Sequence, residues 1–373
     1  GTVVTPLLLR EATARAGDRA WSPWRHAGTT ATGFVAMFVL LLLYPLHYEI
    51  PLPLDNGWLP GLAVLLACLP LLRRPPEVVA AHEFAVPSPV HRPAVGFVAV
   101  GGVALAAMVE AGMVGGSPLP GPDPALAAEP TDGSLTRVAT YNIGQGQDAS
   151  SGALALSEVA AAMVDLNADV VAVQEVARGW PLTSMTDVDA WLRAHTDLTI
   201  AYVPAADPQF GNALVSRLPL SDVSALDLGQ GGGAQRRSAI SATLPDGLLV
   251  YGMHLQARNS DAAEQTRLDQ MRQVVDDWAG RERTVMAGDL NPRNEYADDT
   301  ETPPKVISNL EVWLDAGLAT TQPTELCTEP TSNDNCSDYV FSSPDLVPVA
   351  PTEVRDVDVS DHRPVVATFP TQP

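Results

Sequence analysis

The stretch "VMAGDLNPRNE", residues 285–295, joins a short apolar run to a polar loop through Gly-Asp-Leu-Asn. The apolar run predicts a buried strand. Because side chains alternate along a strand, Asp289 and Asn291 are expected to point to the same side of it. A carboxylate and an amide then lie together at the open end of a core strand. The motif alone fits two interpretations, an Asx-rich turn or part of a functional site.

The sequence around this stretch alternates between short apolar runs and amphipathic segments. Apolar runs predict strands in six places: 136–144, 169–176, 211–220, 238–244, 247–256 and 283–290. Apolar residues at helical spacing predict helices at 150–168, at 261–281 and in "VISNLEVWLDAGL", 306–318. Two closing strands follow in "SDYVFSS" and "HRPVVATF". This mixture predicts an α/β fold, a four-layer α/β sandwich in which two packed sheets are flanked by helices.

Several of the predicted strands begin or end at polar side chains that bind hard metal ions or transfer protons. These residues are Asn142, Glu175, His254, Asp289, Asn291, Asp338, Asp361 and His362. One such residue is usually structural, since a single His is most often a satisfied core residue and a single Asp a turn residue. Their recurrence at six strand ends favours a catalytic site.

Seven short segments of residues 136–370 resemble the endonuclease/exonuclease/phosphatase superfamily. In chain order they are "TYNI", "VQEV", "GNALVSR", "MHLQ", "GDLN", "DYVF" and "SDHRPV", and the combination of GDLN with SDH is the most specific. That superfamily includes deoxyribonucleases, abasic-site endonucleases, inositol-polyphosphate 5-phosphatases and bacterial sphingomyelinases. The resemblance implies a catalytic domain at 136–370 that hydrolyses a phosphate ester with Mg²⁺ or Mn²⁺.

The resemblance also implies roles for individual residues. Glu175 matches the main metal ligand, with Asn142 and Asp361 close to the metal. Asp289 and Asn291 match the residues that orient the attacking water and the phosphate.

The two histidines match catalytic positions as well. His362 corresponds to a general base or phosphate-contacting residue, and Asp338 to the carboxylate that fixes its tautomer. His254 corresponds to the residue that stabilises the transition state or protonates the leaving group. Arg237 and Asn212 are weaker candidates for phosphate binding. A catalytically dead domain that keeps the fold is the alternative.

Three apolar runs in the first third of the chain predict a transmembrane region. They cover 31–50, 57–72 and 93–116, and the first is long enough to span a bilayer. The alternative is a set of buried helices in a soluble domain, and it is strongest for 57–72, which is short and contains two prolines. Residues 117–135, rich in Pro, Gly and Ala, predict a linker.

Basic residues suggest how this region is oriented. Four arginines precede the first run and three lie between the second and third, whereas the link at 49–56 has no Lys or Arg. By the positive-inside rule, this pattern predicts a cytoplasmic segment at 1–30, three crossings of the cell membrane and an extracytoplasmic catalytic domain. In a narrower way, residues 175–198 and 205–220 resemble membrane proteins implicated in remodelling the lipid of GPI anchors, and their bacterial relatives.

Negative charge is concentrated in the predicted catalytic domain. The chain has a formal net charge of −22, with 15 Lys/Arg against 36 Asp/Glu in residues 129–373. Such a domain is repelled by phosphate backbones unless local arginines or bound cations intervene, so a nucleic-acid partner held by general electrostatics is not expected. A site that recruits a divalent metal fits this balance.

Two cysteines, Cys327 and Cys336, bracket the polar segment "TEPTSNDN". In a domain predicted to lie outside the cytoplasm they favour a disulfide. A metal site is the alternative, weakened because no His or third Cys lies nearby in the sequence.

The expected substrate is a membrane lipid with a phosphate-ester headgroup, since a linker to membrane helices keeps the site near the bilayer. This hypothesis predicts an apolar rim around the site, with Trp180, Pro181 and Phe210 as candidates. The alternatives are an extracytoplasmic nuclease, a non-catalytic lipid-binding assembly protein, and a hydrolase of soluble phosphomonoesters or inositol phosphates.

Overall fold

The computed structural model describes scattered residues of 31–43 together with 133–180, 183, 186–233, 235–296 and 305–371. The chain divides into two units, Gly1–Val114 and Gly115–Pro373. In the first unit the described residues, all within 31–43, are helical. Several of their apolar side chains are exposed, among them Val35, Phe38 and Leu42.

The predicted transmembrane region falls mostly outside the described residues. The segments 1–30, 57–72 and 93–116 lie wholly outside them, and so do half of the residues of 31–50 and most of the linker 117–135. In the part of the chain that the structure does describe, no helix combines the length and apolar character needed to cross a membrane. The three spans therefore stay a prediction.

Two β-sheets form the framework of the second unit. The first has six strands in the order β13-β14-β1-β2-β4-β3: β1 (Leu135–Asn142), β2 (Val170–Ala177), β3 (Thr199–Asp207), β4 (Phe210–Ser216), β13 (Glu353–Val354) and β14 (Val365–Pro370). The second has five strands in the order β12-β8-β7-β6-β5: β5 (Ser221–Gly229), β6 (Arg237–Thr243), β7 (Leu249–His254), β8 (Thr284–Asp289) and β12 (Asp338–Ser342).

Helices and a small sheet complete the unit. The helices are α1 (Leu156–Asp165), α2 (Val188–His195), α3 (Asp261–Trp278) and α4 (Glu311–Asp315). The small sheet holds β9 (Arg293–Tyr296), β10 (Lys305–Ser308) and β11 (Leu326–Cys327).

The alternation of side chains along the strands explains the layers. Val285 and Ala287 of β8 lie in an apolar core shared with residues of both large sheets, such as Val170 and Val365. The intervening Met286 belongs to a second core, which α3 and α4 share with the outer face of the second sheet. The prediction of an α/β fold with two packed sheets is confirmed. Asp289 continues the row of Val285 and Ala287, so its carboxylate faces the space between the sheets.

Helix α3 buries polar side chains on the face that packs against the domain. Its N-terminus is capped by Ser260, whose Oγ accepts from Ala263 N–H at 3.3 Å. Met271 and Trp278 are buried as expected for an amphipathic helix, but Arg267 and Gln270 are also fully buried. Arg267 Nη1 donates to the main-chain oxygens of Gln256 and Arg258, and Gln270 Nε2 donates to Leu228 O of β5. Arg267 Nε and Nη2 have no hydrogen-bond partner among the described residues.

The helix predicted at 306–318 is wrong in its first half. Lys305–Ser308 forms strand β10, which pairs with β9 and β11. Asn309 has φ of 79°, a left-handed conformation that helices do not continue through. The helix therefore begins only at Glu311. Two β-branched residues, Val306 and Ile307, suit the strand.

The predicted disulfide is confirmed. Cys327 and Cys336 are bonded, with their Cα atoms 5.4 Å apart. The bond ties β11 to the segment that leads directly into β12, and both cysteines are buried.

The core behind the second sheet is expected to depend on Trp313 of α4. Its ring is fully buried, lies edge-on to Phe341 with centroids 5.1 Å apart, and donates to Met271 O at 3.3 Å. Trp313→Ala should lower the free energy of unfolding by about 3–5 kcal/mol, because a large cavity is left. Urea denaturation followed by circular dichroism measures this. The neighbouring Leu314 is 42% exposed, so Leu314→Ala should cost under about 1 kcal/mol; equal losses would contradict the assignment of the core.

Candidate active site

One row of cross-strand neighbours carries much of the site. His254, at the end of β7, lies opposite Asp289 at the end of the parallel strand β8. Asp338, at the start of the antiparallel strand β12, lies opposite Asp289 on its other side. Residues opposite each other in a ladder project from the same face of the sheet. All three side chains are buried, and His254 Nε2 lies 3.3 Å from Asp289 Oδ2.

The other sheet supplies His362, from the segment just before β14. Its Nδ1 is hydrogen-bonded to Asp338 Oδ2 at 2.8 Å, and its Nε2 lies 3.8 Å from Asp289 Oδ2. The pair predicted from the sequence, a histidine oriented by Asp338, is therefore formed between the two sheets.

Asn142, at the end of β1, and Glu175, near the end of β2, lie close to Asp289 or to each other. The pairing of β2 with β4 shifts register between Val173 and Val176, and Glu175 within this bulge has φ of 58°. Asn142 Nδ2 lies 3.4 Å from Glu175 Oε1 and 3.1 Å from Asp289 Oδ2. A bulge re-aims a side chain, and here it brings the carboxylate of Glu175 toward the amide of Asn142.

Gln145 is a site residue that the sequence did not reveal. It lies in the 3-10 turn Gly144–Gly146, with φ of 65°, and its Nε2 donates to Glu175 Oε2 at 3.1 Å. No sequence motif marks it. The structural signal is its left-handed backbone, shared with Glu175 and Asn291, since such conformations concentrate at functional sites.

Asp361 lies beside the same turn. Ser360 Oγ donates to the main-chain oxygen of Asn142 at 2.7 Å and lies 3.4 Å from Asp361 Oδ1. A Cβ added to Gly144 would lie 3.5 Å from that carboxylate oxygen. Asp361 itself is exposed.

The expectation for Asn291 needs correction. Strand β8 ends at Asp289, and Asn291 has φ of 46°, so strand alternation does not place its side chain. Its main-chain N–H instead donates to Asp289 Oδ1 at 3.2 Å. Its Nδ2 donates to Leu255 O at 3.3 Å, which ties it to the residue after His254.

Two adjacent arginines have different environments. Arg237, the first residue of β6, is 5% exposed and interacts electrostatically with Glu175 and Asp289. Its Nε has no hydrogen-bond partner among the described residues. Arg236 is exposed and pairs with Asp227. The structure thus brings Arg237, the one favoured from the sequence, close to the carboxylates of Glu175 and Asp289.

Asn212 connects the two sheets. It lies on β4, and its Nδ2 donates to the main-chain oxygen of Ser238 at 2.9 Å and to Ser238 Oγ at 3.1 Å. Ser238 is opposite His254 in the ladder. Through these bonds Asn212 holds the β6 residue that pairs with His254.

The predicted apolar rim is wrong for two of its three residues. Trp180 and Phe210 are each 3% exposed, and their rings pack together with centroids 4.7 Å apart. They belong to the core, because the loop after β2 folds back on β4. Pro181 lies outside the described residues.

Burial and close charges set the protonation of the site. Burial raises the pKa of Asp289 above its ordinary range. Burial and the charge of Arg237 lower the pKa of His254 well below its ordinary range, so that ring is neutral. Burial alone would lower the pKa of His362, but the charges of Asp338 and Asp289 outweigh it and raise the value to about 10.

The donor set fits a divalent cation. Asp289, Asp338 and His362 each offer a ligand atom within 4.8 Å of the others. Asp338 Oδ1 is buried and has no hydrogen-bond partner within the described part of the chain. Mg²⁺ is usually bound through one or two carboxylates and keeps several water ligands. This compact group differs from the predicted ligands Asn142, Glu175 and Asp361.

A sequence model of the Endonuclease/Exonuclease/phosphatase family matches residues 139–362. The chain belongs to this family. The match spans all the predicted site residues, from Asn142 to His362. The motifs identified in the sequence therefore lie within the matched region, and the structure brings several of their residues together. Members of this family are typically hydrolases of phosphoesters.

Several solved structures are similar to this chain. The endonuclease/exonuclease/phosphatase from Beutenbergia cavernae is 24% identical with a TM-score of 0.50, covering 64% of this chain and 72% of that one. A humanized TDP2 from D. rerio is 16% identical with a TM-score of 0.46, covering 64% and 99%. The 3′ phosphatase NExo from Neisseria, bound to product DNA hairpin, is 19% identical with a TM-score of 0.47, covering 63% and 99%. No curated protein matches the chain.

The contact between Asp338 and His362 can be tested directly. Asp338→Asn should lower the pKa of His362, because the amide removes the nearest negative charge and leaves burial to act against the imidazolium. NMR titration of the His362 ring in metal-free buffer measures this. Asp345→Asn, which changes a carboxylate bonded to Arg283 N–H at the opposite end of β8, serves as control. An unchanged pKa in Asp338→Asn would contradict the geometry of the pair.

Proposed function

We propose that this protein is a phosphoric ester hydrolase that needs a divalent cation, Mg²⁺ or Mn²⁺, and that acts on a membrane lipid headgroup. The observation that carries the reaction is the convergence of His362, held by Asp338, on Asp289 and His254. Family membership supports the same reaction class.

The protonation states suggest how the work is divided. With its pKa raised, His362 is an imidazolium and suits a role as donor to a phosphoryl oxygen rather than as base. Asp289 is buried and its pKa is raised, so it can accept a proton from a water held against it. The neutral ring of His254 lies 3.3 Å from Asp289. From there it can donate a hydrogen bond to the leaving oxygen.

Positive charge completes the proposed site. Arg237 is buried beside Glu175 and Asp289, so its guanidinium can hold a phosphoryl oxygen without competition from bulk water. Asn142, Glu175 and Asp361 would hold the cation, because His362 in the compact group, as an imidazolium, has no free ring nitrogen to offer a metal. When bound, the cation neutralises charge that develops on the phosphate in the transition state.

The lipid substrate and the location are supported by the sequence. The three apolar runs and the distribution of arginines favour an extracytoplasmic domain tethered at the cell membrane. The excess of Asp and Glu in residues 129–373 counts against a nucleic-acid backbone as the main partner. The narrower resemblance to GPI-lipid-remodelling proteins favours phosphatidylinositol or its glycosylated forms.

The full chain should release a lipid headgroup in the presence of Mg²⁺ or Mn²⁺ and lose this activity in EDTA. The purified protein is incubated with phosphatidylinositol and its glycosylated forms, sphingomyelin, plasmid DNA and inositol phosphates, and phosphate or headgroup release is measured. His362→Ala is the blank and should fall by about 10³-fold or more, since it removes a group that contacts the reacting phosphate.

The panel separates the alternatives. Nicking of DNA without lipid turnover would establish the extracytoplasmic nuclease instead. Hydrolysis of inositol phosphates alone would point to a soluble substrate. Metal-dependent binding of lipid vesicles without turnover of any substrate would favour the non-catalytic assembly protein.

Arg237 and Arg236 form a matched pair for testing the phosphate contact. Arg237→Gln should lower kcat/KM by about 10²–10³-fold, as loss of a buried donor to a transition-state oxyanion does. Arg236→Gln should change it by less than about twofold, because exposed ion pairs contribute little. Equal effects in steady-state assays would exclude Arg237 as the phosphate-binding residue.

A further inference from the structure

The segment closed by the disulfide, residues 327–336, is called here the disulfide loop. Thr331 lies inside it and is 1% exposed. Its Oγ1 accepts two main-chain hydrogen bonds, from Ser337 N–H and Asp338 N–H, both at 3.0 Å. One hydroxyl therefore fixes the backbone at the point where Asp338 enters the site.

The same residue contacts the segment that carries His362. The main-chain oxygen of Thr331 accepts from Arg363 N–H at 2.6 Å, and Arg363 Nη1 donates to Pro330 O at 3.1 Å. Ser332 forms an isolated β-bridge with His362. Thr331 thus links the two chain segments whose side chains meet in the His362–Asp338 hydrogen bond.

The disulfide loop is itself anchored to the domain. Cys336 N–H donates to Asn294 Oδ1 at 3.0 Å, and Asn294 Nδ2 donates back to Cys336 O at 3.1 Å. Ser337 O accepts from Leu290 N–H at 2.8 Å, next to Asp289. With the disulfide closing its ends, the loop has few alternative conformations, so Thr331 is held in place from both sides.

We propose that Thr331 is a positioning residue that sets the geometry of the His362–Asp338 pair, and that the disulfide holds Thr331 in the required place. This inference rests on the proposed hydrolase function. Productive geometry tolerates displacements of only about 0.5 Å, and an oriented histidine depends on its supporting hydrogen bonds. Loss of the Thr331 hydroxyl leaves two buried N–H groups without their acceptor and frees the start of β12 to move.

Three variants of the full chain test the positioning role. Thr331→Val keeps the shape but removes the hydroxyl, and should lower kcat about tenfold while KM changes less than about twofold. Thr331→Ser restores the hydroxyl and should recover kcat to within about twofold. Thr284→Val is the matched control: Thr284 is also buried and donates to main-chain oxygens, but at the other end of β8. Its kcat should match that of the wild type.

A second measurement does not depend on turnover. The Nδ1 proton of His362, in the hydrogen bond to Asp338, should give a low-field NMR resonance in protein labelled at histidine. This resonance should shift or vanish in Thr331→Val and be retained in Thr331→Ser and Thr284→Val. If the wild type is inactive on every substrate, the proposed function is refuted. The His362 resonance would still show whether Thr331 positions the His362–Asp338 pair.

The opposite result is also defined. Wild-type kcat and an unchanged resonance in Thr331→Val would overturn the proposal. If that variant does not fold, the wild type is compared before and after reduction of the disulfide, with circular dichroism confirming that the domain stays folded. Loss of the His362 resonance on reduction would then support the proposal, and an unchanged resonance would overturn it.

Discussion

The face-to-face packing of the two sheets determines where the site forms. His362 belongs to the strand system of the first sheet and Asp338 to the second, so their 2.8 Å hydrogen bond exists only when the sheets meet. The apolar residues between them, including Val170, Val285 and Val365, exclude water and fix the separation. The same packing brings Asn142 within 3.1 Å of Asp289. A substitution that alters the packing of this core would therefore change the distances between the site residues at the strand ends.

The strand ends that carry chemistry could be predicted from the sequence because alternation and motif order are local properties. Alternation along β8 correctly places Asp289 toward the space between the sheets. It fails for Asn291, which lies beyond the strand with a left-handed backbone. Gln145 could not be found, because its contact with Glu175 depends on a turn and a bulge that meet only in the folded chain. Gln145 and Asn291 both have a positive φ, and residue type alone does not predict that conformation.

Other failures arise from contacts between residues that are distant in the sequence. Residues 306–318 have apolar spacing that suits a helix, yet Val306 and Ile307 pair with β9 and β11; non-local pairing outweighed local periodicity. Strand β5 is almost entirely exposed along its length, so it shows no apolar run, and its pairing with β6 comes from the tertiary structure. Trp180 and Phe210 were expected at the rim because a lipid substrate calls for apolar side chains around the site, but they pack against each other.

The disulfide connects the architecture to the question of where the domain works. A bond between Cys327 and Cys336 persists in an oxidising compartment and is uncommon in a reducing cytosol. This argument is independent of the arginine distribution around the apolar runs, and both favour an extracytoplasmic domain. The bond also lies next to the His362–Asp338 pair, since only Ser337 separates Cys336 from Asp338. In a reducing compartment the disulfide loop would lose its closure beside Asp338, so the compartment that suits the disulfide is also the one in which the proposed active site would be held most firmly.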